Sequence, residues 1–158
     1  MAAGSGGFAV DHRYLEDLAV GDRFSTGSLT VSAEDIKAFA GLYDLQPFHL
    51  DERAAEKTFF AGLAASGWHT AALSMRLLTE SGTPFPWGII GAGGEISWPR
   101  PTRPGDTLTV EIEVLDVAPS RSRPDRGIVT VRNVTRNHVG DEVQILVARL
   151  VVPSRAAA

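Results

Sequence analysis

The stretch from Trp68 to Thr79 constrains the fold more than any other part of the chain. It is long enough for roughly three helical turns, and Arg76 is its only charged residue at neutral pH. Ala71, Ala72, Leu73, Met75, Leu77 and Leu78 would occupy nearly every side of that helix. A helix apolar all round is normally buried, so other elements must wrap it. Ser66-Gly67 stands where such a helix would open.

The second half of the chain supplies the wrapping. Leu108, Val110, Ile112 and Val114 alternate with Thr109, Glu111 and Glu113, the period of two expected of a half-buried strand. Ile128–Val134 is a β-branched run, and Asn137–Asp141 has turn chemistry. Val143–Val152 is apolar on both faces and belongs well inside a sheet. Ile89–Trp98, interrupted by Gly91, Gly93 and Gly94, makes a fourth strand, and Arg23–Val31 one more ahead of the helices. Ser32 is placed to cap a helix, with Asp35 as its capping-box partner, and Ile36, Phe39, Ala40 and Tyr43 follow on one face. That helix must stop before Pro47, and a second short one is expected over Glu52–Glu56. Strand, helices, then a meander of long strands predicts an α+β architecture, an antiparallel sheet curled around one helix.

Composition narrows the function. The 158 residues suit one domain, expected over 12–153, with 1–11 and 154–158 as loose ends. A net charge of −4 argues against nucleic acid as a partner. No apolar run reaches the roughly 18 residues of a membrane span, and Met1–Gly7 lacks the charge and apolar core of a signal peptide. With no cysteine there is neither disulfide nor thiolate nucleophile, and the expected location is the cytoplasm. No His, Asp and Glu spacing matches a metal site, and no glycine pattern matches a nicotinamide or flavin fingerprint; no metal or cofactor is therefore expected. A nucleophile-elbow motif is also absent.

The densest group of reactive side chains is Tyr43-Asp44-Leu45-Gln46-Pro47-Phe48-His49-Leu50-Asp51. Pro47 prevents a continuous helix, so Asp44 and His49 can converge on one water molecule from a turning segment. An imidazole titrating near neutrality beside a tunable carboxylate can both activate water and deliver a proton. A loop aspartate and a hydrogen-bonded histidine have the same spacing, and spacing alone does not separate the two readings. His69 is read as a packed helix histidine, and His12 and His138 as solvated. Glu95 is read as equally able to reach the site or to face water, and Asp51 and Glu52 as charges at a helix start. Arg100, Arg103, Arg121, Arg123 and Arg126 form a basic segment that could meet phosphates.

Tyr43 through Ala55, with Asp44, Pro47, His49 and Ala55, resembles the signature of MaoC-like dehydratases and R-specific enoyl-CoA hydratases. Ser66-Gly67-Trp68 resembles that family's glycine at the start of the central helix. Glu95-Ile96-Ser97-Trp98-Pro99-Arg100-Pro101 and Arg103-Pro104-Gly105-Asp106 resemble the stretch leading into its meander. The resemblance covers Tyr14 to Val152 and implies a hotdog fold, the antiparallel sheet wrapped around a long central helix. It implies Asp44 and His49 as the catalytic dyad of a lyase that hydrates enoyl-CoA, or dehydrates 3-hydroxyacyl-CoA, with R stereochemistry. The backbone N–H of Gly67 would serve the thioester oxygen, with Arg100 and Arg103 the first places to look for CoA phosphates. The partners implied are a CoA or acyl-carrier thioester and a second copy of the chain, as a homodimer or higher even assembly. Three positions depart from the family's usual pattern: Tyr43 replaces Gly, Gln46 replaces Asn, and Ser66 replaces His. None removes an acid–base group. Two other functions fit the fold, a non-catalytic acyl-CoA-binding module and a thioesterase. The second wants a carboxylate on the central helix, and Gly67–Leu78 has none.

Overall fold

The computed structural model describes residues 13–80, 85 and 87–157; His12 and residues 1–11 lie outside them. Five strands form one antiparallel sheet: β1 (Arg23–Thr30), β2 (Gly91–Ser97), β3 (Thr107–Pro119), β4 (Arg126–Arg136) and β5 (Glu142–Pro153), in the order β1-β3-β4-β5-β2. β5 is interior, flanked by β4 and β2, as its two apolar faces predict. Between β1 and β2 the chain forms helices α1 (Ala33–Tyr43), α2 (Pro47–Leu50), α3 (Glu52–Glu56) and α4 (Gly67–Glu80). No helix among the described residues is long and apolar enough to cross a membrane.

The alternation in β3 sets the core. Leu108, Val110, Ile112 and Val114 are buried on the face toward α4, with Val129 and Val131 from β4 and Leu150 and Val152 from β5 beside them. Leu77 and Leu78 of α4, Ile36 of α1 and Leu63 pack into it. Burying one such side chain stabilises the fold by roughly 1.5–3 kcal/mol, which fixes the register of the sheet under α4. One expectation needs correcting. α4 is covered on one side only: Trp68, Met75 and Arg76 are exposed, and the buried positions include His69, Thr70 and Ser74 as well as the leucines. Small hydroxyl side chains let α4 sit close to the sheet, and their polar atoms find partners there, as with Ser74 Oγ and Thr135 Oγ1 at 2.7 Å.

The segment after Pro153 was also expected to be loose. Instead Arg155–Ala157 form a 3-10 turn, and Ser154 is buried and donates to Glu16 Oε1. Arg155 pairs with Asp17. These bonds tie the last described residues to the turn at Leu15–Asp17.

Candidate active site

The break between α1 and α2 creates the site. Asp44 caps the C-terminus of α1, its N–H donating to Ala40 O at 2.9 Å, with a backbone (φ −151°, ψ 78°) that leaves the helix. Gln46, preceding Pro47, is extended (φ −103°, ψ 140°), as a residue before proline must be. Pro47 then starts α2, which carries His49 in its last turn. On one continuous helix residues five apart would point roughly 140° apart. The turn instead brings Asp44 Oδ2 to 3.4 Å from His49 Nε2. The sequence predicts an extended or turning segment here; the structure instead forms the short helix α2, whose four residues are too few to show a period.

Both side chains are held. His49 is buried and its Nδ1 lies 2.6 Å from Ala64 O. A carbonyl only accepts, so Nδ1 carries the proton and Nε2 is left facing Asp44 as the atom that can gain or lose one. Phe48 meets the imidazole edge-on at 4.6 Å, and Phe60 packs on Phe48. Asp44 Oδ1 accepts from Gln46 Nε2 at 2.7 Å. Burial is the largest single influence on Asp44 and pushes its carboxyl up. Hydrogen bonds from Ser66 and Gln46 and the charge of His49 together outweigh it, leaving the carboxyl below its ordinary value. The sequence places Ser66 at the opening of the central helix and as a departure from the family pattern, with no link to Asp44. In the fold it is fully buried, accepts from Trp68 N–H at 3.2 Å as the cap of α4, and bonds to Asp44.

Asp44, His49 and Gly67 line one cavity of about 490 Å³, with Phe48, Phe60, Trp98 and Arg100 among its other walls. Gly67 is the first residue of α4, where a backbone N–H has no intrahelical acceptor and meets the positive end of the dipole. Glycine is required there by space: a Cβ would lie 2.7 Å from Trp98 Cε2. Trp98 is itself fixed by its Nε1–H donating to Gln144 Oε1 at 3.1 Å.

The basic segment divides. Arg100 stands in the cavity wall, exposed, with Asp141 at 3.4 Å. Arg103 is not brought into it: its guanidinium donates to the carbonyls of Phe60, Gly62 and Leu63 and so anchors the loop ahead of α4. Arg121 and Arg123 belong to the β3–β4 turn and Arg126 opens β4, roughly 40 Å along β3 from Thr107, and Arg126 pairs with Asp125. His69 stacks on Phe39 at 4.7 Å and is buried, which holds its imidazole below the ordinary value against the opposing charge of Asp35. His138 accepts from Thr107 N–H. Glu95 is exposed and lies outside the cavity wall. Asp51 caps α3 by accepting from Ala54 N–H at 2.8 Å, and Glu52 reaches Lys37. Among the described residues no group of three or more His, Asp or Glu side chains is arranged to hold a metal ion.

A five-stranded antiparallel sheet packed on one long helix, with helices inserted between its first two strands, is the hotdog architecture; its cavity here holds a carboxylate–imidazole pair beside the helix start. The chain belongs to the MaoC-like dehydratase family, since the MaoC like domain matches residues 17–137. It is similar to a MaoC-like dehydratase from Rhodospirillum rubrum of known crystal structure, with 61% identity and a TM-score of 0.89, covering 90% of this chain and 98% of that one. An uncharacterized Bacillus subtilis protein, YdeM, is 40% identical over 87% of this chain and 96% of its own length. A 3-hydroxybutyryl-CoA dehydratase from Methylorubrum extorquens is 33% identical over 82% of this chain and 77% of its own.

Proposed function

We propose that this protein adds water reversibly across the Cα–Cβ double bond of an enoyl thioester, giving the (R)-3-hydroxyacyl thioester, and runs the same step backwards as a dehydratase. The observation that carries the reading is the 3.4 Å approach of Asp44 Oδ2 and His49 Nε2 on a cavity that also contains Gly67. About 490 Å³ is within the range of small-molecule sites. The pair holds one water between Oδ2 and Nε2. As the water oxygen bonds to Cβ, its proton passes to the pair and the π electrons move toward the thioester oxygen. That oxygen gains negative charge and is met by the Gly67 N–H. A proton from the pair then reaches Cα, so the pair ends with the protons it began with. His49 Nδ1 stays out of the exchange because Ala64 O holds it.

The carrier is CoA or an acyl carrier protein, and Arg100 is the cavity's cation for carrier phosphates. Thioester hydrolysis has less support. Glu80, the only carboxylate of α4, lies at the end away from Gly67 and is paired with Arg76. A second copy of the chain belongs in the assembly: among the described residues β2 bonds only to β5, leaving an unpaired strand edge, and the exposed side of α4 carries Trp68 and Met75.

The test is incubation of the wild type with crotonyl-CoA, following loss of the enoyl absorbance and the chirality of the product. (R)-3-hydroxybutyryl-CoA is expected. A protein inactive on a panel of enoyl-CoA and enoyl-carrier thioesters would overturn the reading.

A further inference from the structure

Beside Asp44, His49, Gln46, Ser66 and Arg100 the cavity's lining includes Phe48, Phe60, Ala65, Trp98 and Val143, and among its most deeply buried members are two hydroxyl side chains, Thr70 and Thr102, 1% and 2% exposed. Thr70 Oγ1 donates to Thr102 Oγ1 at 2.9 Å and has Ser66 O at 3.4 Å as a second acceptor. Thr102 Oγ1 therefore receives a hydrogen bond, while its own hydrogen meets no acceptor among the described residues. Thr102 is also fixed in place, since its carbonyl accepts from Ala65 N–H at 2.9 Å. A buried hydroxyl without an acceptor is costly, and valine would fill the same volume without that cost. An alkyl tail would be better served by valine.

The spacing says which part of a ligand reaches this pair. Thr70 lies three residues beyond Gly67 on α4, roughly 4.5 Å along the axis. An extended acyl chain that ran from a thioester oxygen at the Gly67 N–H along α4 would bring its fourth or fifth carbon to that depth. Charge says what that part carries. Arg103 is committed to main-chain carbonyls and Arg100 sits beside Asp141. A carboxylate there would be buried without a counter-ion, so a neutral acceptor fits and an anion does not.

We infer that Thr102 reads a neutral oxygen acceptor, hydroxyl or carbonyl, at the far end of a short acyl group. This rests on the proposed thioester site. The experiment is calorimetric titration of the whole chain with pentanoyl-CoA and 4-oxopentanoyl-CoA, which share chain length and differ in one carbonyl. Neither needs to react. The wild type is expected to bind the oxo thioester about tenfold more tightly, Thr102→Val to lose the preference, and Thr102→Ser to keep it. Equal or tighter binding of pentanoyl-CoA by the wild type, or a preference that survives Thr102→Val, would overturn the inference and leave the hydroxyl pair a packing device. Failure to bind either compound would instead refute the thioester site, and the inference with it.

Discussion

Asp44 is held from several sides at once: Gln46 from its own turn, Ser66 from the start of α4, and His49 from α2. These contacts set its titration. Because its carboxyl lies below the ordinary range, Asp44 stays ionised, and the acid limb of kcat/KM that belongs to it falls below that range. Ser66→Ala and Gln46→Leu each remove a donor to the carboxylate, so each should move that limb to higher pH. A limb unmoved by both changes would mean that Asp44 does not control it. The stabilising effect of the depressed carboxyl is present above its unfolded value and is lost as pH falls through the folded one. At the mouth, Arg100→Glu should raise KM for a CoA thioester more than it lowers kcat; an unchanged KM removes Arg100 from substrate binding. Asp44 and His49 stand out in the sequence through the family resemblance, because their spacing around Pro47 alone fits a structural pair as well. The role of Arg103 does not, since the carbonyls it holds lie about forty positions earlier and only the fold brings them near.

Among the elements, α4 joins packing to chemistry. Its start carries Gly67, whose N–H belongs to the proposed thioester site and whose missing side chain admits the indole of Trp98. Gly67→Ala would place a Cβ 2.7 Å from that ring and push it away from Gln144. Overpacking of this kind costs roughly 1–3 kcal/mol, so a lower Tm is expected together with a fall in kcat/KM; a variant with wild-type values of both would contradict the packing described here. Ser66→Ala removes the helix cap as well as a bond to Asp44, and should cost about 1 kcal/mol in chemical denaturation. β3 is legible from its alternation, β4 from a β-branched run, β5 from its two apolar faces, and α3 from the charges at its start. The exposed side of α4 is not: its apolar residues suggest burial all round, because a sequence cannot separate a face covered by its own sheet from one left for another surface.

For the whole molecule, the unpaired edge of β2 and the bare side of α4 predict a complex of two chains, or a higher even number. Light scattering on the purified protein should give an even multiple of the chain mass, whereas a monomer at micromolar concentration would refute it. The hotdog topology was readable from the order of elements only once the motifs around Asp44 and Gly67 were joined to it. Periodicity alone supported an antiparallel sheet around a helix and no more. The central claim is that Asp44 and His49 act as one acid–base unit on a thioester-bound acyl group. The most direct measurement is the rate of crotonyl-CoA hydration by wild type, Asp44→Asn, His49→Ala and the double variant, with circular dichroism confirming that each is folded. Each single change is expected to lower kcat by at least about 100-fold, and the double to fall little further, because groups that act together are not additive. A wild-type rate retained by both single variants would contradict the account.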